Sequence, residues 1–366
     1  MTIAVAGAGF SGAVVARELA EAGRRVRVFE SRPDTAGNCA TRRDPDTGVM
    51  VHTYGPHIFH TSNEEVWRYI RRFDEMMPFV NRVKAVAGGR VYPLPINLLT
   101  INSFFGRTMG PRQAAEFIAA NCEKPDRPPE TFEEQALCTI GRPLYEAFFR
   151  GYTIKQWGLS PAELPASILK RLPLRFSYDD NYYDSRYQGI PRHGYSHVVD
   201  RILDHPNIEV RLRTPFERAM CGEFEHVFYS GPIDQWFGYR EGRLAYRTLD
   251  FELERHPGDF QGNAVINYCD LDVPWTRISE HKHFAPWEQH EATVIYREYS
   301  RAPAEGDVLY YPLRHSRNTA TIAAYMELAV GEPNTTFVGR LGTYRYLDMD
   351  VTIAEALAAA RRHLGT

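Results

Sequence analysis

The sequence predicts an α/β fold built from a βαβ entry unit, a helix-rich middle and a later run of strands. Three observations carry this. Ile3–Ala6 is an apolar run of strand length that gives way to Gly7-Ala8-Gly9-Phe10-Ser11-Gly12. Residues 63–75, 112–122 and 131–150 show helical periodicity. From about 205 to 300, "IEVRLR", "HVFYSG", "FELERH", "AVINYCD" and "ATVIYREY" read as strands separated by turn residues.

Taken in order, the glycine stretch opens a helix to about Ala22, and Arg25–Phe29 supplies a second strand ending in Glu30. In this G-x-G-x-x-G turn, Gly7 permits the bend and Gly9 lets backbone approach a pyrophosphate. Gly12 permits close packing of helix on strand. The helix start offers free N–H groups to phosphate, and Glu30 is placed for ribose hydroxyls. An adenine dinucleotide, FAD or NAD, is the expected ligand. Ser31-Arg32 after Glu30, without a basic cluster, disfavours the extra phosphate of NADP. The proline-rich "EKPDRPPETF" punctuates the helical middle. The chain closes on "TTFVGRLG", a short strand and glycine turn, before an alanine-rich amphipathic helix.

A chain of 366 residues has room for two or three domains and a cofactor-sized pocket. A formal net charge of −3 supplies no field for gripping nucleic acid or an anionic membrane, so the expected partner is a small molecule. Cys39, Cys122, Cys138, Cys221 and Cys269 are odd in number and never in CxxC spacing, which argues against a disulfide framework and a cysteine-built zinc site. A reducing cytoplasm and a soluble chain are the expectation.

"YGPHIFHT" places His57 and His60 three apart in an aromatic setting soon after the dinucleotide signature. With "GYTIKQWG", "NYYDSRYQGIP", "GPIDQWF", "QGNAVINY", "TRISEHKHF", "YYP" and "GRLGTYRYLDM", it forms an ordered series that resembles the UDP-galactopyranose mutases over nearly the whole chain. The resemblance implies an isomerase that interconverts pyranose and furanose forms of a nucleotide-diphosphate sugar. It implies a Rossmann-type dinucleotide-binding domain with an inserted helical domain and a twisted antiparallel sheet domain. The dinucleotide domain is expected at 1–75, 185–235 and 305–366. The helical domain is expected at 95–170 with a mobile substrate loop to about 184, and the sheet domain at 76–94 and 236–304. A homodimer is usual in the family, although no composition feature marks a self-complementary face.

The resemblance also implies residue roles. Tyr152 and Trp157 match base-stacking and loop aromatics, with Phe148, Thr153, Gln156 and Asn267 lining the base. Arg171 and Arg277 match the arginines that clamp the diphosphate, a task suited to the guanidinium fork. Tyr182, Arg247, Tyr311 and Tyr346 match further phosphate contacts. Asn81, His60, Glu298, Arg340 and Asp348 match positions near sugar and cofactor, and His57 and His60 border the reacting centre. Gly7, Gly9, Phe10, Ser11, Gly12, Glu30, Arg32, Asn38 and Arg340 are the cofactor-binding candidates, and His57, His60, His193 and Arg340 the catalytic ones.

Four positions depart from the family pattern: Ala36, Pro56, His193 and Val338 stand where smaller residues are usual, along the flavin. Together they predict a flavin pocket reshaped or partly filled by protein. The expected cofactor is therefore either FAD in its reduced form or, without flavin, a divalent metal ion on the diphosphate. In the second case His57, His60 and His193 serve as acid, base or ligand. Asn81-Arg82-Val83 and the Leu98-Leu99 pair predict a more apolar sugar pocket, and so a 6-deoxyhexose linked to UDP, GDP or dTDP. Two other classes share the N-terminal unit: a flavin amine-oxidase-like oxidoreductase and a non-catalytic sugar-nucleotide binder. "KQWG", "GPIDQ" and "EHKHF" oppose the first, and Arg277, Arg340 and Tyr346 the second.

Overall fold

The computed structural model describes residues 2–171, 174–314 and 318–366, with the side chains of 169–171 outside that description. Thr2–Ala6 and Arg25–Phe29 are parallel strands joined through the helix Phe10–Glu21. Ile3, Val5 and Val28 have no exposed surface, as expected for parallel strands covered on both faces. The sheet has five strands in the order Ile208–Arg211, Arg25–Phe29, Thr2–Ala6, Val227–Tyr229, Thr335–Phe337, every neighbour pair parallel. Chain order reverses beside Thr2–Ala6, which opens a crevice at the carboxyl ends of the strands. The glycine turn sits there.

Helix Phe10–Glu21 packs against Met349–Leu364 and Tyr195–Leu203. Ala13, Val14, Val15, Ala16 and Leu19 are fully buried in it, and each large aliphatic among them contributes about 1.5–3 kcal/mol.

Strand periodicity does not separate the later segments, and the structure divides them. "IEVRLR" and "HVFYSG" join the parallel sheet, whereas the others build a second sheet of seven strands. Its order is Tyr311–Pro312, Tyr246–Pro257, Ala292–Arg301, Arg277–Glu280, Val265–Tyr268, Lys84–Ala87, Arg90–Pro93. All its pairs are antiparallel except Val265–Tyr268 with Lys84–Ala87. Tyr187–Pro191 pairs with both Phe59–Thr61 and Met76–Pro78, placing His60 opposite Gln188.

The helical middle comprises Leu98–Phe105, Pro111–Asn121, Phe132–Thr139, Gly141–Leu144 and Gly151–Trp157, with a π turn at Tyr145–Arg150. The single periodic run 131–150 thus breaks at Ile140, before Gly141 takes a φ of 76°. Reciprocal capping sets two of the starts: Asn97 with Thr100, and Thr131 with Glu134.

This packing changes the reading of three departures. Val338 lies in the core under the parallel sheet with Val5, Phe228 and Leu357, so its volume goes into packing. His193 is on the surface. Leu98 is core and Leu99 exposed, on one helix, so the volume of Leu98 goes into packing. Ala36 is buried at a φ of 68° beside the glycine turn, its N–H bonded to Ala8 O.

Candidate active site

The dinucleotide turn is built from close backbone approaches. A Cβ on Gly12 would lie 1.9 Å from Gly7 O, and one on Gly7 2.1 Å from Ser230 Oγ. Gly9 and Gly37 face each other, a Cβ on Gly37 falling 3.3 Å from Gly9 Cα. Helix Phe10–Glu21 has no side-chain cap and no acid in its first turn, which leaves its N–H groups for an anion. Glu30 is buried and accepts from Ala8 N at 2.8 Å and Arg32 N at 2.9 Å. The Arg32 guanidinium lies over the Tyr54 ring and donates through Nη2 to Asn38, which in turn donates to Leu309 O. Its Nη1 is buried without a partner. A buried cationic donor left open beside an uncapped glycine turn fits the phosphates of a dinucleotide.

Near this turn is a cluster of aromatics and arginines, of which Arg340 acts on both Cys39 and His57. Arg277 and Glu298 are partners across adjacent strands, with Nε 3.2 Å from Oε1. Arg277 Nη2 donates to Tyr152 Oη at 2.7 Å, and its Nε makes no well-directed hydrogen bond. Burial opposes the charge on Arg277, but Glu298 beside it holds the pKa well above the usual value, so a cation persists in the cleft. Arg340 lies over Tyr346 at 4.9 Å and Tyr311 at 5.6 Å, and donates to Tyr310 O and Leu347 O. Tyr311 and Tyr346 stack at 5.6 Å, and Trp157 leans on Tyr311. Burial raises the pKa of Tyr152, Tyr182 and Tyr311, which therefore stay protonated donors at neutral pH. Asn81, Gln156 and Asn267 each hold a buried amide oxygen without a partner. Asp348 starts the last helix, where its charge acts on His60 and Tyr182.

His57 Nδ1 lies 2.9 Å from Gly55 O. A carbonyl only accepts, so Nδ1 carries the proton and Nε2 is left as the basic atom. Burial, then Arg340, lower the His57 pKa to about 4. His60 stacks on Tyr183 at 3.7 Å with Nδ1 3.1 Å from Ser185 Oγ, and burial lowers its pKa as well. Behind them His52 Nδ1 accepts from His57 N, and His281 Nδ1 accepts from His52 N. His281 is lowered to about 3 and His52 well below normal, both by burial.

These neutral histidines predict acid lability. The unfolded chain binds protons below about pH 6.5 that the folded chain refuses until about pH 4, so stability falls with pH across that window. Each is expected to cost on the order of 1–3 kcal/mol by pH 4. Urea midpoints measured from pH 7.5 to 4.5 should fall, and His281→Gln should flatten the slope.

Not every expected residue reaches this cleft. His193 is exposed and paired with Asp74, because the chain turns outward after Pro191. It does not join His57 and His60, and among the described residues no metal-capable grouping includes those two. Phe148 is buried against Tyr92 and Phe104, a core position. Arg247 directs Nε to Gln156 O and Ser300 Oγ, so it anchors the end of helix Gly151–Trp157. Thr153 is buried in the same helix. The side chain of Arg171 lies outside the described residues.

Lys155 has a role that sequence reasoning missed. Its Nζ lies 2.8–2.9 Å from Tyr268 O, Asp270 O, Val273 O and Trp275 O, which share its three N–H donors, fixing the loop that delivers Arg277. Only the motif "KQWG" pointed toward it.

Comparison with known proteins identifies the family. The family model described as GLF, UDP-galactopyranose mutase, matches residues 147–346, and one for an NAD(P)-binding Rossmann-like domain matches 5–73. A Klebsiella pneumoniae protein named "Probable UDP-galactopyranose mutase" is 57% identical over 100% of this chain and 95% of its own length. The "dTDP-fucopyranose mutase" of Escherichia coli is 47% identical over 99% of this chain and 98% of its own. The crystal structure of a reduced UDP-galactopyranose mutase superposes with a TM-score of 0.74 at 14% identity, covering 100% of this chain and 95% of that one. With a matching family model over more than half its length and near full-length relatives at such identity, the chain belongs to the UDP-galactopyranose mutase family.

Proposed function

We propose that this enzyme interconverts UDP-galactopyranose and UDP-galactofuranose. The observation that carries the reading is Arg277, a buried cation on Tyr152 and Glu298, sharing its cleft with Arg340 and protonated tyrosines. Such a cleft suits a diphosphate flanked by a base and a sugar. The 57% identical relative supports galactose, and the burial of Leu98 leaves Asn81-Arg82-Val83 as the main sequence argument for a deoxy sugar. The 47% identical relative favours dTDP-fucopyranose as a second reading.

Gly7, Gly9, Gly12, Glu30, Arg32 and Asn38 would hold FAD, with the uncapped helix start at its pyrophosphate. When bound in reduced form, flavin supplies a nucleophile for the anomeric carbon with no net redox change. The protein's own groups do the rest. Arg277, Arg340 and the tyrosine hydroxyls neutralise the charge that grows on the diphosphate as the glycosidic bond breaks. His57 Nε2, its ring held by Gly55 O, offers a neutral acceptor that orients a sugar hydroxyl by hydrogen bonding. Tyr152 and Trp157 border the base. Arg171 is proposed as a second clamp. The dinucleotide, helical and sheet domains are proposed with the boundaries expected from sequence, except that Tyr311–Pro312 pairs into the sheet domain, the substrate lying among them.

Purified protein, reduced with dithionite, is to be incubated separately with UDP-galactopyranose and dTDP-fucopyranose, and the pyranose and furanose forms resolved chromatographically. The reading predicts a preparation that is yellow before reduction and bleached by dithionite, with faster furanose formation from UDP-galactopyranose. Faster turnover of dTDP-fucopyranose would establish the second substrate, and no furanose from either would refute mutase activity on both.

A further inference from the structure

We propose that Asp74, His193 and His197 form a surface site for a divalent transition metal, where the strand Tyr187–Pro191 turns into the helix Tyr195–Leu203. His193 precedes the helix and His197 lies in its first turn, with rings 5.0 Å apart. Asp74 comes from a separate segment, the turn after helix Glu64–Ile70. His193 Nδ1 lies 2.9 Å from Asp74 Oδ1, and one ligand atom from each of the three residues lies within 4.8 Å of the others.

The site is built around a sheltered carboxylate. The Asp74 side chain is 4% exposed, against 58% for His193. Its hydrogen bonds come from Glu75 N, His193 N and the His193 ring, and among the described residues no arginine or lysine pairs with it. Arg72, two residues before Asp74, pairs with Glu21, and Arg192, beside His193, pairs with Glu75. A desolvated carboxylate without a fixed countercharge is costly, and a dication held between it and two imidazoles supplies that charge. Binding exchanges the proton on His193 Nδ1 for the metal, and the proton leaves to solvent. Two nitrogens and one oxygen suit Zn2+ or Co2+ and disfavour Mg2+ or Ca2+, with water completing the shell. Both histidines are exposed and free to adjust by rotation.

A second grouping, Asp259, Glu280 and His283, is poorer. Glu280 already accepts from Phe260 N, Gln261 N and Gly262 N, and Lys282 occupies Asp259. It serves as the control.

The full-length protein, freed of metal by chelator, is titrated with Zn2+ by calorimetry and with Co2+ by visible absorption. One equivalent is expected to saturate. His197→Ala and the shape-preserving Asp74→Asn should each weaken binding at least about tenfold, while His283→Ala leaves it unchanged. Melting curves in chelator confirm that the variants are folded. Absence of saturable binding to the wild type overturns the site, as does wild-type affinity in His197→Ala and Asp74→Asn, or loss of binding in His283→Ala.

Discussion

Arg277→Ala is expected to lower kcat/KM by about two to three orders of magnitude and to lower the melting temperature as well. The two effects have separate causes. Glu298 is 2% exposed and faces Arg277 across the sheet, so deletion of the guanidinium leaves a buried carboxylate whose remaining side-chain donor is Thr276 Oγ1. Breaking a buried pair from one side costs about 3–5 kcal/mol. On the proposed function, the catalytic loss comes from the missing donor to the diphosphate. Arg277→Lys separates them: an ammonium restores the countercharge and most of the melting temperature. It lacks the planar fork that reaches Tyr152 and substrate together, so kcat/KM should stay at least about tenfold low. Thermal melts and steady-state kinetics on both variants are the measurement. Alanine kinetics equal to wild type would place Arg277 outside the binding cleft.

This dependence of one residue on strands far apart in sequence explains what could be read in advance. The entry unit is legible because its pattern is compact: Gly12 answers to Gly7 within the same turn, Glu30 follows the neighbouring strand, and only the partners of Gly7 and Gly9, Ser230 and Gly37, come from further along the chain. Arg277 was found through the motif "TRISE", but its pairing with Glu298 depends on sheet register, which periodicity does not encode. The stretch around Leu98 shows the opposite failure. Read for its apolar character, it suggested a sugar pocket, although Asn97 and Thr100 spell a helix start and Gly106 a helix end. Attention to capping would have placed Leu98 inside and Leu99 outside.

His193 was misplaced for a related reason. Its neighbours in sequence belong to a strand that carries Gln188 opposite His60, which suggests proximity to the cleft. The chain leaves the sheet at Pro191, and two residues suffice to turn the side chain outward toward Asp74. Likewise Lys155 reads as an ordinary helical lysine. Its value lies in four carbonyls of one loop, contributed by residues 268–275. Burial lowers its pKa to about 8, a cost accepted for holding that loop in one shape.

Gly12→Ala should be the most damaging single methyl added to this protein. Alanine is favoured over glycine inside a helix by roughly 1 kcal/mol, so propensity alone predicts stabilisation. Sterics decide otherwise. The new Cβ would stand 1.9 Å from Gly7 O and 2.9 Å from Val5 Cγ1, and the first of these is backbone in the tightest part of the turn. Relief requires helix Phe10–Glu21 to lift from the sheet, which strips contacts from Val14, Val15 and Leu19 and opens the phosphate site at the same time. A loss above about 4 kcal/mol is expected, seen as aggregation or a greatly lowered melting temperature, with no flavin absorption in any soluble fraction. Gly222→Ala is the matched control, since nothing lies within 4 Å of its added methyl. It should melt as wild type and stay as yellow. A Gly12→Ala protein that did the same would show that the close approach of helix to turn is not what holds this fold and its cofactor site together.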